Sequence, residues 1–332
     1  MAPRDGTWNR FEPVDLQYSA GDCAWTSDII VTNPFNRAVA SVNVKNPIRE
    51  RVILQLRVEC DGNWTAWHTM MIGKDGKWAS QMNKGDAFGR VKVDTLELYD
   101  PKTAAAFQVR LLTDIATDSG GANVSDLIRS IGVTHYLKEN VHKKEVVYVR
   151  CGNALADRWM TLWGCELAVA PRSQTSEDPK IASRICSPTS LAMVLEFFGK
   201  KFETAALAKE VYDSTSDLYG NWSVNVAVAG RHIGEAFAVH CDSLDTIETE
   251  IAAGRPVILS HSWKEGELTH APILKSSGHL IVVIGFTKDG DVVVLDPAAP
   301  PAEVRRVYRR NELFHTWQNN ASGIVYLFRP AT

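Results

Sequence analysis

Apolar and polar residues alternate at a period of two over positions 52–59. Val52, Leu54, Leu56 and Val58 fall on one face, against Ile53, Gln55, Arg57 and Glu59 on the other. Successive side chains of a strand point to opposite faces, so the pattern predicts a strand with one face more buried. Phe107, Val109 and Leu111 repeat it against Gln108 and Arg110. Asp61-Gly62-Asn63, Lys74-Asp75-Gly76 and Lys84-Gly85-Asp86 supply turns between such runs. Short strands at this spacing predict a sandwich or jelly roll, taken as a β-sandwich over about residues 1–135. A glycine-rich polar stretch follows over 119–132, with a brief helix at 124–130, a short strand at 146–149 and a join near residue 165.

After Gly164 the periodicity changes. Leu191, Val194, Leu195 and Phe198 recur at helical spacing, predicting a helix over 187–198. Pro188 sits in its first turn, where a missing N–H costs nothing, and Gly199 ends it. Helices are also expected over 205–212 and over 244–253, the latter closed by Gly254. Apolar runs then predict strands at 256–260, 280–286, 292–295 and 324–328. Helices followed by an antiparallel sheet make an α+β layout. The expected division is a β-sandwich accessory domain with its connecting segment over 1–165 and a second domain over 166–332.

Composition narrows the options. Of 332 residues, 45% are hydrophobic and 23% charged, the balance of a globular protein. The formal charge of -3, from 36 basic and 39 acidic residues, provides no field for capturing nucleic acid or an anionic membrane. The apolar run 280–286 is far too short to cross a bilayer, and residues 1–10 have no apolar signal-peptide core. The compartment stays open. No CxxC pair occurs among Cys23, Cys60, Cys151, Cys165, Cys186 and Cys241, which argues against a zinc or thioredoxin-like site. Trp8, Trp25, Trp64, Trp67 and Trp78 cluster in the first part. Filling the sandwich core and its ends is their default reading; stacking on sugar rings is the alternative.

Candidate chemistry lies in the second part. Cys186 directly precedes a helix, whose unpaired N–H groups and dipole lower a thiol pKa. Taken alone it fits a buried structural cysteine equally well. His279 follows Gly278 at the mouth of the 280–286 strand, a place suited to a general base. Asp296 comes seventeen residues later, at the end of 292–295 and before Pro297. Lys288-Asp289-Gly290 reads as a hairpin turn, which lays the two strands side by side and brings His279 and Asp296 to one edge. A carboxylate there holds the imidazole tautomer and stabilises its charged form. His261 and His270 compete for the role of base, but no hairpin gives either an acidic partner.

The run Cys186-Ser187-Pro188-Thr189-Ser190-Leu191-Ala192-Met193-Val194-Leu195, then Gly278-His279-Leu280, Gly285-Phe286-Thr287 with Asp291, and Asp296-Pro297-Ala298 resembles the C39-like peptidase family of bacterial proteins. The resemblance covers roughly residues 168–332. It extends to Asn221-Trp222, Ala229-Gly230 and Gly254-Arg255-Pro256-Val257, while Trp64–Trp67 and Lys92-Val93-Asp94-Thr95-Leu96 resemble the β-rich domain that often precedes it. It implies a papain-like fold with a Cys/His/Asp site formed by Cys186, His279 and Asp296. Ala170-Pro171-Arg172-Ser173-Gln174 resembles the segment ending in the glutamine that donates to the developing oxyanion, which implies that role for Gln174. A solvated loop glutamine is the competing reading. Ile185 departs from the aromatic residue that the family tends to place before the cysteine.

Trp222 and Trp263 are the expected substrate contacts, with residues 260–270 forming a wall or lid. The function expected is hydrolysis of a peptide or related amide through a thioester on Cys186, requiring no cofactor or metal. Acyl transfer from the same thioester to an amine is the alternative, and a binding protein with an idle site is a third. The β domain is expected to bind a substrate-bearing partner or carbohydrate; nucleic acid and membrane are not expected partners.

Overall fold

A computed structural model describes residues 7–81, 84–114, 124–138 and 163–331. The strand expected at 146–149 lies outside them. The described residues cluster into two compact units. One takes in those up to Lys138 with Glu210–His240 and the last residues from Arg329; the other holds those up to Lys209 and Cys241–Phe328. The expected division at 165 and 166 separates these segments in sequence alone; by contacts, 210–240 goes with the first unit.

The first unit is built on two antiparallel sheets. One has five strands in the order Trp8–Phe11, Ile128–Tyr136, Arg37–Val44, Thr95–Leu98 and Gly89–Lys92. The other runs Leu16–Ser19, Ala24–Ser27, Ala104–Thr113, Val52–Cys60, His68–Lys74 and Lys77–Ala79, with Ile30–Phe35 and Asn63–Trp64 beside this path. The period-two expectation holds along Val52–Cys60, where Val52, Leu54, Leu56 and Val58 are all fully buried. Each such side chain contributes about 1.5–3 kcal/mol by leaving water. Rings from both sheets meet: Phe11 and Phe35 each lie edge-on to Phe107. Trp25 and Trp78 are buried as core residues. Trp64 and Trp67 are half-buried and flank the Arg57 guanidinium at 4.7 and 4.6 Å, with Arg110 4.4 Å from the Trp67 ring.

Helix Trp222–Ile233 and strand Gly234–His240 complete this unit. Neither is evident from periodicity, because Val224, Val226 and Val228 alternate as a strand would. What starts a helix here is Asn221, whose side chain accepts from the Val224 amide. Burial on nearly every side then removes the polar face that a 3.6-residue period needs. Ser223 Oγ donates to the Ala40 carbonyl and Ala236 N donates to Asn43 Oδ1, fixing the segment on strand Arg37–Val44. Gly230 allows the approach: a Cβ there would meet Asn43 Oδ1 at 1.9 Å.

In the second unit the strands run Ile324–Pro330, Val257–Trp263, Ser276–Phe286, Val292–Leu295 and Arg305–Tyr308, all pairs antiparallel. Helix Cys186–Phe197 packs on Ser276–Phe286, with Ser190 Oγ donating to the Leu280 carbonyl at 3.0 Å. The helix is buried from Ser187 to Leu195, which makes it a central element. Gly199, at φ +80°, closes it in the left-handed conformation that glycine adopts without strain. A helix carrying Cys186 on an antiparallel sheet, together with a separate strand-rich unit, makes the chain α+β.

Several expected boundaries move. The helix expected over 124–130 ends at Leu127, where strand Ile128–Tyr136 begins. The strand expected at 280–286 begins at Ser276, so His279 lies within it and is only 3% exposed, not at an open mouth. The strand expected at 256–260 runs on to Trp263, because His261 pairs with His279 and Trp263 with Ser276. Residues 260–263 are therefore sheet, not lid.

Candidate active site

The hairpin that brings His279 to Asp296 depends on one irregularity. Gly285 pairs with Val293, but Val283 pairs with Val294, so one extra residue stands in strand Ser276–Phe286. A one-residue slip exchanges the faces of a strand. Without the bulge Asp296 would share a face with Leu280; with it, Asp296 shares a face with His279. The turn itself closes through Thr287 N donating to Asp291 O and Gly290 N donating to Thr287 O.

The result is a chain of three groups. His279 Nε2 donates to Asp296 Oδ1 at 2.8 Å, which leaves Nδ1 for the Cys186 sulfur, with which the imidazole is also hydrogen-bonded. Cys186, a free thiol, opens its helix and is half-buried, while Asp296 is fully buried. The amides of Leu280 and Ser187 donate to the sulfur. Burial pushes the Cys186 thiol up, but His279's hydrogen bond and charge outweigh it, and the thiol lies below its ordinary value. His279 shows the reverse balance. Burial disfavours its charged form, yet Asp296 and then Cys186 raise it well above the usual imidazole range. Burial likewise disfavours the Asp296 carboxylate, which His279, the Tyr308 hydroxyl and the Ala298 amide together hold below the usual range. A lowered thiol beside a raised imidazole favours a thiolate–imidazolium pair, the reactive form of a thiol nucleophile.

Gln174 is buried on a short 3₁₀ turn, Gln174–Ser176, its amide donating to Pro297 O at 2.9 Å. It is thus anchored to the residue after Asp296 and is not a solvated loop side chain. Its Oε1 finds no donor, so the carboxamide is not committed to a structural hydrogen bond there. Trp263 is 2% exposed and stands edge-on to the His279 ring, with centroids 5.6 Å apart and Nε1 donating to Ile273 O. That places it as a wall for the imidazole, with little surface for a substrate. Trp222 falls in the first unit, half-buried, its amide donating to Asp94 Oδ2 at 2.6 Å.

The rival histidines have other surroundings. His270 is exposed, at φ +61°. His261 is fully buried opposite His279, their ring centroids 5.7 Å apart. Thr316 Oγ1 donates to Leu313 O and lies 3.2 Å from His261 Nδ1. The hydroxyl has one proton to give, so His261 Nδ1 is the donor and Nε2 carries the bare lone pair. That Nε2 has no hydrogen-bond partner. Burial, then the charge of His279, push His261 down to about 3, which keeps it neutral.

Sequence reasoning did not find Tyr308 or Ser173. Tyr308, fully buried, donates to Asp296 Oδ2 at 2.6 Å, and Ser173 Oγ donates to Ala299 O at 2.5 Å. The inward-facing Tyr308 at the end of the short strand Arg305–Tyr308 was the available signal, diluted by arginines at 305 and 306. Among the described residues no cluster of three or more His, Cys, Asp or Glu is placed to hold a metal ion, and no helix is long and apolar enough to cross a membrane.

A thiol at a helix start, an imidazole on the adjoining sheet and a carboxylate beyond it define the class of cysteine-peptidase-like α+β proteins. Residues 166–324 match the peptidase C39-like family, and residues 3–134 match the peptidase C39 N-terminal domain. The second part of the chain, over residues 166–324, belongs to the C39-like peptidase family. No curated protein matches it. Among solved structures, a putative C39-like peptidase from Bacillus anthracis is 18% identical, covering 50% of this chain and 98% of its own at a TM-score of 0.38. The peptidase domain of Streptococcus ComA is 18% identical, covering 45% and 93% at 0.31. A double glycine motif protease from an AMS/PCAT transporter, in complex with its leader peptide, is 20% identical, covering 44% and 84% at 0.30.

Proposed function

We propose that the chain is a cysteine peptidase that cleaves its peptide substrate through a thioester on Cys186. The observation that supports this most is the hydrogen-bonded series from Cys186 through His279 to buried Asp296. In the resting site the proton of Cys186 resides on His279. The Cys186 sulfur attacks the scissile carbonyl carbon, and the C=O electron pair moves onto oxygen. The developing oxyanion takes hydrogen bonds from the Cys186 amide at the helix start and from the Gln174 carboxamide. As the intermediate collapses the C–N bond breaks, and His279 Nδ1 gives its proton to the leaving amine. A water then loses a proton to His279 and adds its oxygen to the thioester, and the C–S bond breaks to release the acid. Asp296 stays ionised throughout, holding Nε2–H and stabilising each imidazolium.

The test is mass spectrometry of a diverse peptide mixture incubated with the wild type and with Cys186→Ala. Fragments from the wild type alone support the reading and reveal the specificity; equal cleavage by both proteins overturns it.

A further inference from the structure

The carboxylate that orients the imidazole is itself oriented. Asp296 Oδ1 accepts from His279 Nε2 and from the Ala298 amide, leaving Oδ2 to one buried partner, the Tyr308 hydroxyl. The geometry points to Tyr308 as a positioning residue of the reaction: its hydroxyl locks the Asp296 carboxylate in the plane that serves His279. The inference rests on the Cys186–His279–Asp296 reading above.

Three features of the chain argue for it. A carboxylate bonded only through Oδ1 turns about its Cα–Cβ and Cβ–Cγ bonds, whereas bonds at both oxygens fix its orientation. Tyr308 reaches Asp296 from a third strand, so the brace is independent of the hairpin that carries His279 and Asp296. Finally, the turn after Asp296 ties both halves of the site together. Gln174 N donates to Pro297 O and Ser173 Oγ to Ala299 O, so a rotation at Asp296 disturbs the anchor of Gln174 as well. Hydrogen-bonded supporting groups of this kind commonly change activity by one to two orders of magnitude when removed, by analogy with the outer partners of metal ligands.

The charged and titratable groups around the His279–Asp296 pair are Cys186, His261, Tyr308 and, acting on Tyr308, Arg306. Only Tyr308 among them donates to Oδ2. Loss of its hydroxyl removes a donor from the ionised carboxylate, so Asp296 takes up a proton at higher pH. A loosened carboxylate also supports the imidazolium less well, so His279 loses its proton at lower pH. The working range of the thiolate–imidazolium pair narrows from both sides.

Rates of Cys186 alkylation by iodoacetamide across pH test this without a known substrate. They are measured on the full chain as wild type, Tyr308→Phe, Asp296→Asn and the double variant. The expectation is a roughly tenfold slower reaction of Tyr308→Phe at neutral pH, with the rising limb of its profile moved up by about one pH unit. Tyr308→Phe adds no further loss in the Asp296→Asn background, because its effect runs through the carboxylate. Thermal melts identify folded variants, and Tyr308→His, which keeps a donor, serves if Tyr308→Phe does not fold: partial retention of rate supports the brace, and a rate equal to Asp296→Asn overturns it. An unmoved profile in folded Tyr308→Phe, or full additivity with Asp296→Asn, overturns the proposal. A wild-type Cys186 that reacts only as an ordinary thiol overturns the underlying site reading instead, so the two failures are told apart.

Discussion

Replacing Asp296 by Asn removes one charge and little volume, and it addresses the strongest interaction in the site. Asp296 and His279 are both buried and 2.8 Å apart at their bonded atoms, so solvent screens them little. With charge centres about 4 Å apart and an effective dielectric near 20, the attraction is about 4 kcal/mol. At about 1.4 kcal/mol per pH unit, the imidazolium loses its proton about three units lower. Burial, the first of the effects on His279, then acts without its main opponent. A shift of that size returns the proton to the Cys186 sulfur, so the neutral thiol predominates at about pH 6. Alkylation of Cys186 at that pH, followed by mass spectrometry, should fall by at least about a hundredfold. The stability change has a definite sign. A raised histidine stabilises the fold fully below its free value of about 6.5 and loses that contribution as pH climbs through its folded value. The depressed carboxylate contributes above about 3.9 and loses it as pH falls through its own folded value. The melting-temperature difference between wild type and Asp296→Asn should therefore peak between about pH 4 and 6.5 and shrink toward pH 10. An alkylation rate within about threefold of wild type, or a difference that grows above pH 8, refutes the reasoning.

Three further outcomes are expected. Gln174→Ala should lower turnover of a cleaved peptide by about 100- to 1000-fold while leaving Cys186 alkylation near wild type, because an oxyanion donor acts only in the transition state; equal losses in both assays contradict the assignment. His261→Phe loses one hydrogen bond to Thr316 but also removes the unpartnered Nε2, so its urea midpoint should correspond to within about 1 kcal/mol of wild type and cleavage should persist; loss of cleavage in a folded variant would give His261 a part in the reaction. Gly230→Ala forces Cβ onto the Asn43 carboxamide and should destabilise the first unit by about 1–3 kcal/mol in chemical denaturation; an unchanged midpoint contradicts the close approach.

Much of the second unit was legible because its chemistry sits where patterns are strong. Cys186 follows from a helix start marked by Pro188 and ended by Gly199, and the strand 292–295 matches its apolar run. The hairpin turn put His279 and Asp296 near each other, but nothing in the periodicity announced the bulge between Val283 and Gly285 that gives them a common face. His279 read as an exposed strand-mouth residue because Ser276, Ser277 and Gly278 are polar or small; their partners on the facing strand, including Trp263, extend the sheet past them. The helix Trp222–Ile233 escaped because full burial erases helical periodicity and its valines mimic a strand. Tyr308 escaped for a different reason. Its part in the site depends on a third strand placing its hydroxyl on Asp296, a tertiary fact that the short, arginine-diluted strand marks only weakly.

The central claim is that Cys186 is an activated nucleophile paired with His279. The most direct measurement is the pH dependence of Cys186 alkylation in wild type and in His279→Ala, read by mass spectrometry at that one residue. The account predicts rapid, thiolate-like reaction of wild-type Cys186 well below pH 8 and, without His279, reaction that rises only above pH 8. Profiles that coincide, both rising as an ordinary thiol does, contradict it.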